Sequence, residues 1–107
     1  MNVMNILTNT SLDVMKNNSS KAEKLLKMLA NSKRLLILCH LLKHERTVSE
    51  LQDLVGLSQS ALSQHLAKMR KDGFLAVTKY GTHVYYHINK PELEAILSTL
   101  YLIYCKD

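Results

Sequence analysis

The sequence predicts a mainly α-helical domain carrying one small β-hairpin. Three observations lead there. Apolar residues recur at helical spacing through most of the chain, in runs closed by capping residues or glycine. One stretch, FLAVTKYGTHVYYHI, switches to the alternating, β-branched and aromatic pattern of strands around Gly81. With 107 residues there is room for one small core, which buries only part of its unfolded surface and would gain from a partner subunit.

Taken in order, residues 1–16 carry Val3, Met4, Ile6, Leu7, Leu12 and Met15 at mixed spacing and are expected to be helical. Asn17-Asn18-Ser19-Ser20 reads as a break, making residues 1–19 a helical extension. Ser20 is then an N-cap with Glu23 three residues on, and Leu25, Leu26, Met28 and Leu29 supply a buried stripe ending near Ala30. Asn31-Ser32 caps the next helix, Lys33 to Lys43. Its Leu35, Leu36, Leu38, Leu41 and Leu42 make it apolar on most sides, as a central core helix is.

Thr47 or Ser49 caps a short helix to Val55, with Leu51, Leu54 and Val55 turned inward and Gly56 as its stop. Ser58 is the natural N-cap of the following helix, whose Leu62, Leu66 and Met69 repeat along one face; Gly73 supplies the C-terminal turn. The opposite face shows Gln59, Ser60, Ser63, Gln64, Ala67, Lys68 and Lys71. Short hydrogen-bonding side chains without an acid suit base edges and phosphates. A solvated amphipathic helix would look similar.

Past Gly73 the two strand-like runs meet at Gly81 as a hairpin over residues 74–88. Asn89, with Pro91 in the first turn and Glu92 three after the cap, opens a last helix to residue 105. Its Leu93, Ile96, Leu97, Leu100, Tyr101, Ile103 and Tyr104 form a stripe too wide for one small core, so part of it should face another subunit.

A net charge of +5 and a pI near 9.3 favour polyanionic partners, although a solvated basic surface gives the same sum. The distribution is more informative: from Leu54 to Pro91 the only acid is Asp72, against Lys68, Arg70, Lys71, Lys79 and Lys90. No apolar run approaches the roughly 20 residues that span a bilayer. The N-terminus lacks the basic start and sustained apolar core of a signal peptide, which places the protein in the cytoplasm. Cysteines there seldom form permanent disulfides, so Cys39 and Cys105 are either small buried hydrophobes or a reversible redox pair. No nucleophile-base motif, phosphate loop or metal triad points to an enzyme, and no cofactor is expected.

Two helices joined by a glycine turn, the second polar outside, followed by a hairpin, make a winged helix-turn-helix (residues 47–72 and 74–88). At this point the chain resembles the ArsR/SmtB family of bacterial repressors over about residues 20–105. The resemblance is carried by LLKMLANSKRLLILCHLL, TVSELQDLVGLSQSALSQHLAKMRKDGFL and VTKYGTHVYYHI. It implies a single winged-helix DNA-binding domain over residues 1–107 and a homodimer built by the terminal helices. Two recognition helices would enter successive major grooves of an inverted-repeat operator on double-stranded DNA and block transcription. Carried over by position, the recognition helix is Ser58 to Lys71. Gln59, Ser60, Ser63 and Gln64 are then expected near bases, and Ser58, Lys68 and Lys71 at phosphates. The wing tip, Lys79, Tyr80, Gly81, Thr82 and His83, is expected along the backbone or in a minor groove.

Many members of this family sense metals. Where one such site has a CVC run, this chain has Thr47-Val48-Ser49, and the last helix, where another has Asp and His ligands, holds no histidine. His40 with His44 and His83 with His87 have chelating spacing, yet each pair supplies two ligands where zinc takes three or four. No metal site is expected. One cysteine in RLLILCHLL and one in YLIYC resemble the pair of the sulfide- and oxidant-responsive branch, the BigR, SqrR, YgaV and HlyU type. That resemblance implies that Cys39 and Cys105 of one subunit react with reactive sulfur species or oxidants, become linked as a disulfide or polysulfide, and lower operator affinity. Lys43, one turn after Cys39, and Lys106, beside Cys105, could favour the thiolates. The alternatives are a metal-sensing repressor using His40, His44 or the thiols, and a DNA-binding anti-silencer that senses nothing.

Overall fold

The computed structural model describes residues 9–105. It divides the chain into two compact units, residues 1–30 and 31–107. In the first unit the described residues form one helix, α1 (Asn9–Leu29). The break expected at Asn17-Asn18-Ser19-Ser20 is absent, and Ser20 is not an N-cap. The reason is local: the Asn18 Nδ2 donates to the Val14 carbonyl at 3.1 Å and the Ser19 hydroxyl to the Lys16 carbonyl at 3.0 Å. Side chains that favour helix ends can also bond back to the preceding turn and stay within it. Leu26, expected in a buried stripe, is 60% exposed.

The second unit is a winged helix-turn-helix. Its described elements are α2 (Ser32–Lys43), α3 (Val48–Val55), α4 (Gln59–Lys71), β1 (Leu75–Tyr80), β2 (His83–Ile88) and α5 (Pro91–Tyr104). Ile37 and Leu38 of α2, Leu51 of α3, Leu62 and Leu66 of α4, and Leu93 and Leu97 of α5 are almost wholly removed from water. Burying such a side chain contributes roughly 1.5–3 kcal/mol, so these residues fix how the helices pack. α2 lies against α3, α5 and β2, as the leucine-rich helix should. Leu54, expected inward, is 45% exposed: α3 is short, and Leu51 alone of its residues is buried.

The strands pair antiparallel from Leu75↔Ile88 to Tyr80↔His83. Gly81 begins the two-residue loop with φ +63°, a conformation that side-chain-bearing residues rarely adopt. Arg46 adds a short third rung by bridging Tyr86 on the open edge of β2. The last helix starts one residue later than expected. Lys90, without a side-chain cap bond, is its N-cap, because the Asn89 N–H is used on the Phe74 carbonyl at 2.9 Å and Pro91 already sits at the first helical position.

Candidate nucleic-acid interface and thiol pair

The presented surface of α4 is a consequence of its ends. The Ser58 side chain accepts the Ala61 N–H at 3.1 Å, while its own hydroxyl hydrogen stays available to a further acceptor. At the other end the Gly73 N–H donates to the Arg70 carbonyl and the Phe74 N–H to the Met69 carbonyl, with Gly73 at φ +85°. This pair of bonds is the Schellman arrangement, and Phe74, buried beyond it, anchors the stop. With Leu62, Leu66 and Met69 buried on one side, Gln59, Ser60, Ser63, Gln64, Lys68 and Lys71 are all exposed on the others. Arg70, which sequence reasoning left out of the interface, is exposed too, two turns along from Ser63.

The preceding helix is fixed as firmly. The Thr47 hydroxyl accepts the Glu50 N–H at 3.1 Å, and the Glu50 carboxylate accepts the Thr47 N–H at 3.0 Å, a reciprocal capping box. The Thr47 N–H, then the Thr47 hydroxyl, hold the Glu50 carboxyl below its ordinary 4.5. Gly56, at φ +72°, ends α3 and turns the chain into α4. Lys68 pairs with Asp72 at 3.2 Å, so part of its charge is already balanced, whereas Lys71 one turn on is exposed.

At the wing tip Lys79, Tyr80, Thr82 and His83 are exposed. The Tyr80 ring meets Tyr85 edge-on at 5.4 Å, and His83 lies 6.4 Å from the same Tyr85 ring. Alternation along the paired strands puts these three rings on one face. Between the start of α3 and this strand end runs an open cleft of about 560 Å³, lined by Glu50, Asp53, His83 and Tyr85 among others.

His44 is exposed with Nδ1 2.8 Å from the Glu45 carbonyl, while His40 is half-buried. Burial first, then the nearby Arg46 and Lys43 charges, hold the His40 ring below its ordinary 6.5. His65, a second half-buried histidine, is held down by burial and then by Arg34. Among the described residues no group of three or more His, Cys, Asp or Glu is placed to hold a metal ion. No helix of the described residues is long and apolar enough to cross a membrane.

The two cysteines lie on helices that pack together. Cys39 is half-buried in α2, Cys105 is exposed at the C-cap of α5, and α2 packs on α5. Both are free thiols. Burial, and then the negative charge of a Cys105 thiolate, push the Cys39 thiol above its ordinary 9.0. The net shift of Cys39 is upward, opposite to the effect expected of Lys43, whose charge bears on the His40 ring. Lys106 lies outside the described residues. Beside Cys105 the surface is apolar: Ile103 and Tyr104 are 63% and 80% exposed, and Tyr101 and Leu102 are exposed as well.

This arrangement has counterparts among known proteins. Residues 31–77 match the model for bacterial regulatory proteins of the arsR family. The transcriptional activator HlyU of Vibrio cholerae is 46% identical over 96 residues, covering 90% of this chain and 89% of that protein. The HTH-type transcriptional regulator YgaV of Escherichia coli is 39% identical over 90% of this chain and 98% of its own length. The solved structure of reduced HlyU from V. cholerae superposes with a TM-score of 0.81 at 47% identity, over 86% of this chain and 97% of that one. That of the transcriptional repressor BigR from Xylella fastidiosa gives 0.80 at 27% identity, over 89% and 97%.

Proposed function

The chain belongs to the arsR family of bacterial regulatory proteins, and from that premise we propose a homodimeric repressor whose grip on an inverted-repeat operator is released when Cys39 and Cys105 become linked. As a member it is a DNA-binding transcriptional regulator and not an enzyme. The finer reading is supported by the thiol pair: Cys39 lies in α2 and Cys105 at the C-cap of α5, and α2 packs on α5. The existence of a solved reduced form of HlyU supports treating redox state as a variable of the relative.

On the output side, Gln59, Ser60, Ser63 and Gln64 read base edges, while Ser58, Lys68, Lys71 and the added Arg70 hold phosphates. Lys79, Thr82 and His83 extend the contact from the wing. Two such readers must lie about 34 Å apart to occupy successive major grooves. The apolar residues left exposed on α5, Tyr101 to Tyr104, support a dimer interface there. A change in the relation of α2 to α5 therefore alters the spacing of the readers.

On the input side the chemistry balances with a persulfide as the oxidant. One cysteine thiolate attacks the sulfane sulfur of R-S-SH, giving Cys-S-SH and releasing RS⁻. The second thiolate attacks the inner sulfur, closing Cys-S-S-Cys and expelling HS⁻. If both cysteines are persulfidated first, one terminal sulfur attacks the other's inner sulfur, expels HS⁻ and leaves a trisulfide. With a peroxide, a sulfenic acid forms and hydroxide leaves, then the second thiol displaces water.

A gel-shift titration with reduced and persulfide-treated protein tests this reading. Operator affinity should fall by about 5- to 150-fold, the usual span of such couplings. Unchanged affinity, or a Cys39→Ser variant that still responds, sinks the sensing claim. Mass spectrometry then separates a loss of two hydrogens (disulfide) from added sulfur (polysulfide).

A second reading has a specific observation in its favour: HlyU is a transcriptional activator by name, whereas BigR is a repressor. The same DNA occupancy raises transcription when it displaces a silencer. Expression from the bound promoter in a deletion strain distinguishes them: loss favours the anti-silencer, gain the repressor.

A further inference from the structure

The segment that closes α2 and opens α3 is only a few residues long, and Arg46 stands in it with bonds in two directions. α2 ends at Lys43, His44 continues in extended backbone, and Thr47 already caps α3. The Arg46 N–H donates to the Tyr86 carbonyl at 3.1 Å, and its carbonyl accepts the Tyr86 N–H at 2.7 Å. This is the bridge that ties the segment to the edge of β2. The side chain turns the other way: its Nε donates to the His40 carbonyl at 3.1 Å. His40 directly follows Cys39, so that carbonyl belongs to the same helical turn as the half-buried thiol.

The side-chain bond is of the stronger kind. Its donor is a guanidinium, and a charged donor makes a bond roughly twice as strong as a neutral pair. It is also partly buried. Burial, and then the Arg46 and Lys43 charges, hold the His40 ring below its ordinary value, towards the neutral form that does not oppose the guanidinium. One residue thus joins the thiol-bearing turn of α2, the edge of the wing and the cap of the first helix of the helix-turn-helix.

We infer that Arg46 is a positioning residue that carries the state of the Cys39 and Cys105 pair from α2 into the wing and α3. The inference rests on the thiol-switch reading above and names the route the switch takes. A cross-link ties the Cys39 turn to the end of α5. When that turn shifts, the His40 carbonyl shifts with it. The guanidinium follows, moving the backbone bonded to Tyr86. The competing route is apolar packing of α2 directly on β2. Were that the route, the motion would still be transmitted without Arg46's side-chain bond.

The test compares wild type with Arg46→Met, which keeps the aliphatic stem and removes the donor. The probe is an inverted-repeat duplex selected from a random pool by reduced wild-type protein. Affinity is measured with the thiols reduced and after diamide, which accepts two electrons and two protons as the disulfide forms. In wild type the ratio of the two dissociation constants should lie between about 5 and 150, and in R46M it should fall to about one, with reduced-state affinity largely kept. Amide hydrogen exchange at Tyr86 should differ between reduced and cross-linked wild type, and the difference should vanish in R46M. A ratio unchanged in folded R46M overturns the inference in favour of packing. Equal Tyr86 exchange in both states of wild type overturns it as well, and decides the matter alone if R46M does not fold. A wild-type ratio of one after diamide and after a persulfide donor alike overturns the thiol switch itself, a failure visible before any variant is made.

Discussion

The exposed face of α4, proposed to read DNA, and the thiol pair are held in place by different kinds of forces. The exposed face of α4 is set within about one stretch of chain, by the Ser58 cap, the Gly73 stop and three buried side chains between them. The thiol pair depends on tertiary packing: Cys39 and Cys105 lie on helices far apart in sequence, and the packing of α2 against α5 is what relates them. A surface fixed locally can be altered one side chain at a time without moving its frame. A pair fixed by packing changes the frame whenever its chemistry changes, which is the property a switch needs.

The largest effect that would break this division lies on the two faces of α4. Leu62→Ala should cost about 2–5 kcal/mol in denaturant unfolding, because Leu62 is fully buried. Ser63→Ala, one residue away and exposed, should change stability by no more than about 0.5 kcal/mol. Its effect should appear in DNA binding alone. Equal unfolding costs for the two would overturn the division of the helix into a core face and a reading face.

Next in size is the split between base and phosphate contacts. Gln64→Ala should cost about 1–3 kcal/mol on the preferred duplex and relax selectivity at one base pair. Lys71→Ala should weaken binding to all duplexes alike and reduce the salt slope by about one. Binding isotherms on matched and mismatched duplexes, each at several salt concentrations, separate the two. A Lys71 variant with altered selectivity would move that residue to the base-reading group.

Much of this frame was legible because its signals are local. Ser58, Gly56 and Gly73 sit where caps and left-handed turns require them, and the alternation around Gly81 fixes the hairpin register. Errors arose where one local signal has two outcomes. Asn18 and Ser19 have the chemistry of a break, yet both bond back into the helix they were expected to end. Asn89 resembles a cap, but tertiary pairing with Phe74 takes its N–H. Arg46 carried no readable signal, since a one-residue bridge has no periodicity. The burial of Cys39 was not legible either: the spacing that sets Lys43 one turn away says nothing of the desolvation that raises the thiol. The nearness of the thiols was expected from resemblance, not from any pattern in the residues themselves.

A smaller effect separates the frame from the sensor. Thr47→Ala removes the capping hydroxyl of α3 and should destabilise the domain by about 1 kcal/mol. Alkylation of Cys39 in the native state should keep its rate, because Thr47 belongs to the locally fixed part. A changed rate would mean that α3 and the thiol pair share one frame.

The smallest effect concerns the thiols alone, and its sign follows from two causes. Burial raises the Cys39 thiol above 9.0 and the charge of Cys105 raises it further. A raised value means that less thiolate is present at any pH below it, so iodoacetamide should react at Cys39 along a curve whose midpoint lies above 9.0. Cys105→Ser removes the second cause and leaves the first. The midpoint should therefore move down toward 9.0 without reaching it, and Cys39 should react faster at a fixed pH of 8. An unshifted midpoint would mean that the two thiols do not feel each other's charge, and would count against the proposed switch.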